Sequence, residues 1–356
     1  MSDLMKAVRC HRYAGLDVEG KPVGPPDPLR DVLSLDDVPV PVCEDTQVLV
    51  RTYYAGVQYP DALQAQGLYQ RKPDLPYIPG MDVAGRVIEV GASVDHVQVG
   101  DRVIAQLQIG GLAEVITAPG MNVWKVPDGI HLSTCANIGR NFCPAYHSLK
   151  TLGKAGEGSL VLIDGASGGV GMAAVGLAKV MGAQVIAGVS VPEKRERPAA
   201  AGADRVLCYG RERESYRRFK HDVRQAAAEL GHPAGVDVVL DMVQGDLFEA
   251  ALISAIRPLG TICLVGFTAG QKAIRPGLLL VKEVTVVGSI WDRWARENAA
   301  AHQQNVSEIL GFLASGAIQP RADRVFARDN FVEAFELFEH NQGLGNTVVC
   351  FTEEQH

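Results

Sequence analysis

Apolar and polar residues alternate over short stretches in the first 130 residues, and turn-forming residues separate these stretches. Runs of this kind predict β-strands, here at residues 6–12, 47–54, 83–90, 102–108 and 113–117. From about residue 134, apolar runs alternate instead with helical patterns, which is typical of a parallel sheet covered on both faces. The strands predicted in this part are residues 160–164, 184–189, 205–208, 236–241, 260–266 and 284–290.

The end of the chain returns to the first kind of pattern. Residues 318–326 and 346–351 are β-like and flank a predicted helix at about 329–340. We therefore expect an α/β protein with two domains. Residues 1–133 and 315–356 form a mostly antiparallel β domain, and residues 134–314 form a doubly wound parallel sheet, whose six predicted strands match the number in dinucleotide-binding folds.

Composition argues against a membrane protein, a secreted protein and a nucleic-acid-binding protein. The 356 residues suit two domains, and no apolar run approaches the roughly 20 residues of a membrane span. The N-terminus shows no signal-peptide pattern, and the net charge of −7 argues against a nucleic-acid partner. The seven cysteines form no C-x-x-C pair, so free thiols in a cytoplasmic protein are expected.

A glycine-rich turn follows the first strand of the second domain. Its pattern, Ala166-x-Gly168-x-x-Gly171, is a variant of the dinucleotide-binding fingerprint between a strand and a helix. Gly168 leaves room for a pyrophosphate, and Gly171 lets the helix pack closely on its strand. The helix N-terminus offers free N–H groups and a partial positive charge to phosphates.

Two other interpretations of this turn compete with a nucleotide site. In the first it is a plain tight turn, and in the second Gly165-x-Ser167-x-Gly169 is the nucleophile elbow of a hydrolase. An elbow requires an acid and a histidine later in the chain, for which Asp241 and His302 are the candidates. No HGGG-type oxyanion segment precedes Ser167, and the nucleotide site is therefore the favoured interpretation.

The next strand indicates which nucleotide is bound. An NAD site usually has Asp or Glu at the end of this strand, to bind the ribose 2′-hydroxyl. Here the strand ends at Val189-Ser190, and Lys194, Arg195 and Arg197 follow. The pattern favours NADPH, since Ser190 and Lys194 can bind a 2′-phosphate. The alternative is a solvated helix start, because Glu193 and Glu196 lie between the basic residues.

Nine short motifs, each present once, follow one another along nearly the whole chain. They are Asp37-Val-Pro-Val-Pro41, Gly67-Leu-Tyr-Gln70, Pro76-Tyr-Ile-Pro-Gly-Met-Asp-Val-Ala-Gly85, Gly100-Asp-Arg-Val103, Gly165-Ala-Ser-Gly-Gly-Val-Gly171, Gly202-Ala-Asp204, Gly235-Val-Asp-Val-Val-Leu-Asp241, Val265-Gly-Phe267 and Val286-Val-Gly-Ser-Ile-Trp291. Together they resemble the medium-chain dehydrogenase/reductase superfamily, and within it the zinc-free quinone oxidoreductases that include ζ-crystallin. The resemblance implies a GroES-like catalytic domain and a Rossmann domain.

The resemblance also assigns site residues. It implies that Gln58, Tyr59 and Asp61 lie beside the nicotinamide and substrate, although Tyr59 could be a packed aromatic and Asp61 and Asp82 could only brace loops. The implied cofactor-binding residues are Ala166, Ser167, Gly168, Gly169, Val170 and Gly171 at the pyrophosphate; Ser190, Lys194 and Tyr209 at the adenosine phosphate; and Val265, Gly266, Phe267, Ser289, Ile290 and Trp291 near the nicotinamide.

Zinc-dependent relatives hold their metal at three positions that align here with Gln58, Met81 and Arg140. None of these residue types is a good zinc ligand, so no metal site is expected. Without a Lewis acid, reduction of an already electron-poor acceptor is favoured over alcohol oxidation. The resemblance also implies a homodimer, in which the last Rossmann strand, residues 285–290, pairs with its symmetry mate.

The chain departs from the family pattern at five places: Gln58, the segment Arg140-Asn-Phe-Cys-Pro144, Asp164, Asn346 and the insertion at residues 15–30. The expected function is an NADPH-dependent, zinc-independent reductase of a small-molecule quinone. The alternatives are an enoyl or 2-alkenal reductase on the same fold and a non-enzymatic NADPH-binding protein like some ζ-crystallins.

Overall fold

The computed structural model describes residues 4–17, 19–340, 342–343 and 345–354. The described chain forms two compact units. The first covers Met1–Arg140 and Pro320–His356, and the second covers Asn141–Gln319. These limits lie several residues beyond the boundaries 133/134 and 314/315 expected from the sequence, because the helical turns after residue 132 remain with the first unit.

The strands are β1 (Leu4–Cys10), β2 (Leu33–Pro39), β3 (Gln47–Val57), β4 (Asp82–Val90), β5 (Arg102–Gln106), β6 (Val115–Pro119), β7 (Val123–Lys125), β8 (Leu160–Ile163), β9 (Gln184–Val189), β10 (Arg205–Cys208), β11 (Val236–Asp241), β12 (Ile256–Leu264), β13 (Thr285–Gly288), β14 (Arg324–Ala327) and β15 (Thr347–Cys350).

The α-helices are α1 (Tyr59–Ala65), α2 (Leu132–Cys135), α3 (Cys143–Tyr146), α4 (Gly169–Val180), α5 (Glu196–Ala200), α6 (Arg213–Glu229), α7 (Gly245–Leu247), α8 (Ile253–Ala255), α9 (Pro276–Lys282), α10 (Trp291–Glu297), α11 (Ala299–Ala314) and α12 (Phe331–Glu339). Short 3₁₀ turns lie at Leu29–Asp31, Gly120–Asn122, Pro192–Lys194 and Arg328–Asn330, and wider π turns at Ile138–Phe142, His147–Leu152 and Phe248–Leu252.

The first unit is built on a mostly antiparallel sheet. Its strand order is β14-β15-β3-β4-β5-β7, and β6 also pairs with β3. Strand β2, which is not among the strands predicted above, pairs antiparallel with β1. The buried core contains side chains of the central strands, such as Val48, Val50 and Val83, together with Phe331 and Phe335 of helix α12.

The second unit contains a parallel sheet with the strand order β10-β9-β8-β11-β12-β13. This is the order of a doubly wound dinucleotide-binding fold, in which the first strand lies at the centre. The predicted fold class is thereby confirmed. The six predicted strands are present, and β12 begins at Ile256, four residues before the predicted start at 260. Pro258 and Gly260 locally favour a turn, but the chain passes them as an irregularity within the strand, with Leu259 at a φ of 61°.

No helix in the described part of the chain is both long enough and apolar enough to cross a membrane. All seven cysteines are free: Cys10, Cys135, Cys143 and Cys263 are buried, whereas Cys43, Cys208 and Cys350 are half-buried. Within the insertion at 15–30, Leu16 pairs with Pro22, and Val18 lies outside the described residues.

Candidate nucleotide-binding and catalytic residues

The glycine-rich turn connects the central strand β8 to helix α4. All four residues of β8 are buried, and Gly165 then takes a positive φ of 56°. The Ala166 N–H donates to the Gly188 carbonyl at 3.0 Å, which ties the turn to strand β9. Gly168 is the N-cap of α4, and no side chain caps the helix. No N-cap side chain therefore accepts from the N–H groups of its first turn, and an uncapped helix N-terminus of this kind can bind a phosphate.

The glycines of the turn serve different purposes. A Cβ on Gly171 would lie 2.6 Å from the Ala166 Cα, so the helix can pack on the turn only without a side chain there. A Cβ on Gly168 would meet only the Gly165 carbonyl oxygen, at 3.4 Å, and otherwise open space. The protein itself therefore does not require glycine at 168, but a phosphate lying against the turn does.

The hydrolase alternative finds no support in the side-chain geometry. Ser167 is 7% exposed, and no histidine of the described residues is hydrogen-bonded to its hydroxyl. The carboxyl of Asp241 accepts from the backbone N–H groups of Val243 and Gln244 instead. The His302 ring packs edge-on against Trp291, with centroids 5.4 Å apart. The candidate acid and histidine of a Ser-His-Asp triad are thus engaged elsewhere.

Positive charge gathers beyond the end of strand β9. Lys194 is half-buried, and burial lowers the pKa of its ammonium group, with further lowering by the neighbouring charges of Arg211 and Arg197. No carboxylate of the described residues forms an ion pair with Lys194 or Arg211. Burial raises the pKa of the Tyr209 hydroxyl, and its neighbour Ser190 lowers that pKa by less. An anion at this point would relieve the repulsion among the cations.

The segments assigned to the nicotinamide follow β12 and β13. The N–H groups of Val265 and Gly266 both donate to the Asp241 carbonyl, at 2.8 and 3.2 Å. The Phe267 side chain is 52% exposed and that of Ile290 is 55% exposed. Exposed apolar side chains beside the carboxyl ends of parallel strands suit the edge of a bound ring.

Ser289 and Trp291 are placed differently from their exposed neighbours. The Ser289 hydroxyl lies 2.8 Å from the Ser148 hydroxyl, and both residues are buried. The Trp291 side chain is 6% exposed and opens helix α10. Because both side chains pack within the protein at the end of the strand, only the backbone atoms of these two residues could contact a cofactor.

In the first unit, Gln58, Tyr59 and Asp61 lie at the start of helix α1. The Gln58 N–H donates to the Asp61 carboxylate at 2.9 Å, and its side-chain amide donates to the Asn137 oxygen at 2.5 Å. The Asp61 carboxyl also accepts from the Gly80 N–H at 3.2 Å. Gln58 and Asp61 are therefore held by the protein. Tyr59 is half-buried, and its hydroxyl has no hydrogen-bond partner among the described residues.

A second carboxyl group, Asp82, is linked to the position of the third zinc ligand. It accepts from the Arg140 N–H at 2.6 Å, while the Arg140 guanidinium donates to the Leu107 carbonyl at 2.8 Å. Burial raises the pKa of Asp61 to about 6 and that of Asp82 to about 7, and the Arg140 charge opposes both shifts. Both carboxyl groups are therefore partly protonated near neutral pH.

The donor set at the three aligned zinc positions does not suit a metal ion. Gln58 offers an amide that is already hydrogen-bonded, Met81 a buried thioether, and Arg140 a cation. Zinc in proteins is held by thiolate, imidazole or carboxylate. Nor do the described residues contain a group of three His, Cys, Asp or Glu side chains that could hold a metal.

Sequence reasoning missed three contacts of these sites. Asn137 anchors Gln58 and donates to the Thr347 carbonyl at 3.1 Å. Asn141 lies against Gly169, where a Cβ would come within 2.6 Å of its side-chain nitrogen. Arg211 joins Lys194 although 17 residues separate them. Each contact joins segments that are separate in the sequence. The sequence showed only the unusual segment that contains Asn141 and the basic character of Arg211.

Family models and individual relatives agree with this geometry. Residues 44–128 match the alcohol dehydrogenase GroES-like domain, and residues 169–307 match the zinc-binding dehydrogenase family. The bovine quinone oxidoreductase-like protein 2 is 32% identical over 323 residues, covering 90% of each chain. Human quinone oxidoreductase is 29% identical over 348 residues, covering 97% of each.

A mycobacterial protein solved in complex with NADPH shares the fold, with a TM-score of 0.83 and 26% identity over 97% of this chain and 99% of that one. Fold, glycine turn and relatives define the class as a nicotinamide-dependent oxidoreductase. The chain belongs to the quinone oxidoreductase branch of the medium-chain dehydrogenase/reductase superfamily.

Replacing Gly168 by valine tests the nucleotide turn. We expect Gly168→Val to abolish NADPH binding, because the branched side chain occupies the space that a pyrophosphate needs, while the nearest protein atom leaves room for a Cβ. Fluorescence titration with NADPH measures the effect.

Gly311→Val is the matched control. Gly311 lies in helix α11 of the same unit, and a Cβ added there would have open space around it out to 4 Å, so this variant should bind as the wild type does. Unchanged NADPH affinity in Gly168→Val would show that the nucleotide does not lie on this turn.

Proposed function

We propose that this protein is an NADPH-dependent, zinc-independent oxidoreductase that reduces a quinone. The observation that carries the proposal is the set of residues at the aligned zinc positions, Gln58, Met81 and Arg140, which offers no thiolate, imidazole or carboxylate to a zinc ion. An enzyme of this fold without a Lewis acid is suited to acceptors that are already electron-poor. Quinones are the acceptors named for the curated relatives.

The cofactor preference rests on the cations beyond strand β9. Lys194, Arg197 and Arg211 gather near Ser190, and the strand ends without the carboxylate that would bind a ribose 2′-hydroxyl. A 2′-phosphate would supply a negative charge to Lys194 and Arg211, neither of which forms an ion pair with a carboxylate of the described residues. NADPH is therefore favoured over NADH.

The chemistry divides between the cofactor and the protein. When bound, the nicotinamide supplies a hydride. Burial raises the pKa of Tyr59, so its hydroxyl remains protonated at neutral pH and can donate a proton or a hydrogen bond to a reduced oxygen. Gln58 and Asp61 position the start of α1, because their polar groups are hydrogen-bonded within the protein.

Steady-state NADPH oxidation with a quinone panel beside an enal and enoyl panel tests this function. Higher kcat/KM values on the quinones would support it. Higher kcat/KM values on the enal or enoyl panel would instead identify the protein as an enoyl or 2-alkenal reductase. The fold is compatible with both activities, because fold alone does not fix the substrate. Tight NADPH binding without turnover on either panel would point to a non-enzymatic binding protein.

Metal removal should have no effect on activity. Prolonged chelation followed by desalting is expected to leave kcat and the thermal midpoint unchanged, because the aligned positions hold Gln58, Met81 and Arg140. Metal content of the purified protein is measured in parallel. Stoichiometric zinc whose removal abolishes activity would contradict the proposal.

Substitutions beyond strand β9 test the cofactor preference. A charge-assisted hydrogen bond contributes about 1.5–3 kcal/mol, so Lys194→Ala should weaken NADPH by roughly ten- to a hundred-fold and leave NADH nearly unchanged. Ser190→Asp should shift the preference further, since it adds a repelling charge and a ribose acceptor. The measurement is the ratio of kcat/KM for the two cofactors.

Arg195→Ala provides the matched control, because Arg195 is exposed and is not one of the cations that act on Lys194. It should leave the ratio close to that of the wild type. Equal ratios in the wild type, Lys194→Ala and Ser190→Asp would show that this region does not bind the phosphate.

Assembly as a homodimer is part of the same proposal. Strand β13 is the last strand of its sheet and has an unpaired edge within the described chain. Helix α9 directly precedes this strand in the chain and exposes two apolar side chains, Leu280 at 78% and Val281 at 84%. An exposed strand edge favours pairing with another chain, and two-fold pairing is the commonest form.

Light scattering at micromolar concentration should give the mass of a dimer for the wild type. The double change Leu280→Glu and Val281→Glu should give a monomer, because it places charges on the apolar surface. Val42→Glu, at an 83% exposed position of the first unit, serves as control and should remain dimeric. A wild-type monomer would refute the assembly.

A further inference from the structure

Two aspartates end the two central strands of the parallel sheet. Asp164 follows β8 directly, and Asp241 is the last residue of β11. The neighbouring residues Ile163 and Leu240 are register partners, so the two aspartates lie side by side. Both side chains are 0% exposed. The two carboxyl groups thus share one fully buried site, at the edge of the sheet where folds of this kind bind a dinucleotide.

Each carboxyl group is satisfied at only one oxygen. Asp164 Oδ1 accepts from the Met242 N–H at 2.7 Å. Asp241 Oδ1 accepts from the N–H groups of Val243, at 3.1 Å, and Gln244, at 2.7 Å. Both Oδ2 atoms are buried without an N–H or O–H donor. A single proton between the two carboxyl groups satisfies both orphan oxygens, because a protonated carboxyl group is a donor.

We propose that Asp164 and Asp241 share one proton at neutral pH, and that this protonated pair positions the loops of the nucleotide site. Without the proton, two carboxylates would adjoin each other in a fully buried site, which is strongly unfavourable. The role assigned to the pair rests on the proposed function, since it requires that the nucleotide binds to these loops.

The pair connects several segments of the nucleotide site. Asp164 immediately precedes the glycine-rich turn that begins at Gly165. The Asp241 carboxyl holds the loop at 243–244, in which Gln244 has a positive φ of 54°. The Asp241 carbonyl accepts from both Val265 and Gly266. A repulsion that separates the two aspartates would therefore displace the turn and the segment after β12 relative to each other.

The titratable groups around the pair favour the protonated form. Burial raises the pKa of Asp164, and the Asp241 charge raises it further; burial also raises the pKa of Asp241. Burial raises the pKa of the neighbouring Tyr209 hydroxyl, and the Asp164 charge raises it further, so Tyr209 stays neutral beside the pair. No Lys, Arg or His side chain in the described ranges forms an ion pair with either aspartate.

A shared proton makes stability depend on pH in a defined direction. An aspartate with a raised pKa keeps its proton in the folded protein above pH 4, where the unfolded chain has released it. Stability therefore falls as pH rises from about 4 towards the folded-state pKa. Asparagine at position 164 mimics the protonated acid, since its oxygen can accept from Met242 and its amide can donate to Asp241, and it has no proton to lose.

Asp164→Asn is the decisive variant. Between pH 5 and 9, the unfolding equilibrium constant of the wild type divided by that of Asp164→Asn should rise by up to about tenfold per pH unit. Denaturant titrations at each pH measure it. At pH 7 Asp164→Asn should bind NADPH within about twofold of the wild type, whereas Asp164→Ala should bind more weakly, because it leaves the Met242 N–H unsatisfied and Asp241 unpartnered.

Asp246→Asn is the matched control. Asp246 lies in the same unit and forms an exposed ion pair with Lys272, which lowers the pKa of its carboxyl group. Its proton is released below pH 5 in both states, so its replacement should change stability by an amount independent of pH across this range.

A constant ratio for Asp164→Asn, like that of the control, would overturn the shared proton. Wild-type NADPH affinity in Asp164→Ala would overturn the positioning role, and an equal loss in Asp164→Asn and Asp164→Ala would overturn the assignment of that role to the protonated form. If Asp164→Ala does not fold, Asp164→Asn still decides the shared proton, and Asp241→Ala replaces Asp164→Ala in the binding comparison. If the wild type fails to bind NADPH, the proposed function fails, while the stability measurements still test the proton.

Discussion

The close approach of helix α4 to the turn after strand β8 is the constraint on which the second unit depends. Gly171 permits this approach, because a Cβ there would lie 2.6 Å from the Ala166 Cα. The contact fixes the direction of α4 and leaves its N-terminus uncapped at the carboxyl edge of the sheet. The segments after β9, β11 and β12 end at the same edge, because the strands are parallel. The strand order therefore determines which residues can meet a nucleotide.

Much of this arrangement could be predicted from local sequence. The strand–turn–helix pattern at 160–180 and the six strands of the parallel sheet follow from hydrophobic periodicity and turn chemistry, and both are present. The early start of β12 could not be predicted, because Pro258 and Gly260 locally favour a turn. The pairing of Ile256 and Thr261 with β11, on either side of them, keeps this irregular segment within the strand. Tertiary pairing there outweighs local propensity.

The side-chain environments were harder to predict than the backbone. Asp61 was expected beside the nicotinamide and substrate, with the bracing of loops as the alternative for Asp61 and Asp82. The hydrogen bonds from Gln58, Gly80 and Arg140 fit that alternative. The burial of Asp61 and Asp82, and with it their raised pKa values, depends on strands that are distant in sequence. Asp164 was visible as an unusual acid, but its neighbour Asp241 is 77 residues away, and only the order β8-β11 brings the two together.

The protein buries acidic pairs by two different physical means. In the first unit, Asp61 and Asp82 lie under the influence of the Arg140 charge, which offsets part of the cost of burial and keeps their pKa values at about 6 and 7. In the second unit, Asp164 and Asp241 have backbone N–H donors but no cation, so a proton must take the place of a counterion. A fixed guanidinium is permanent, whereas a proton is exchanged with solvent. The charge that offsets the first pair is therefore the same at every pH at which the fold persists, and the proton that neutralises the second pair depends on the medium around the protein.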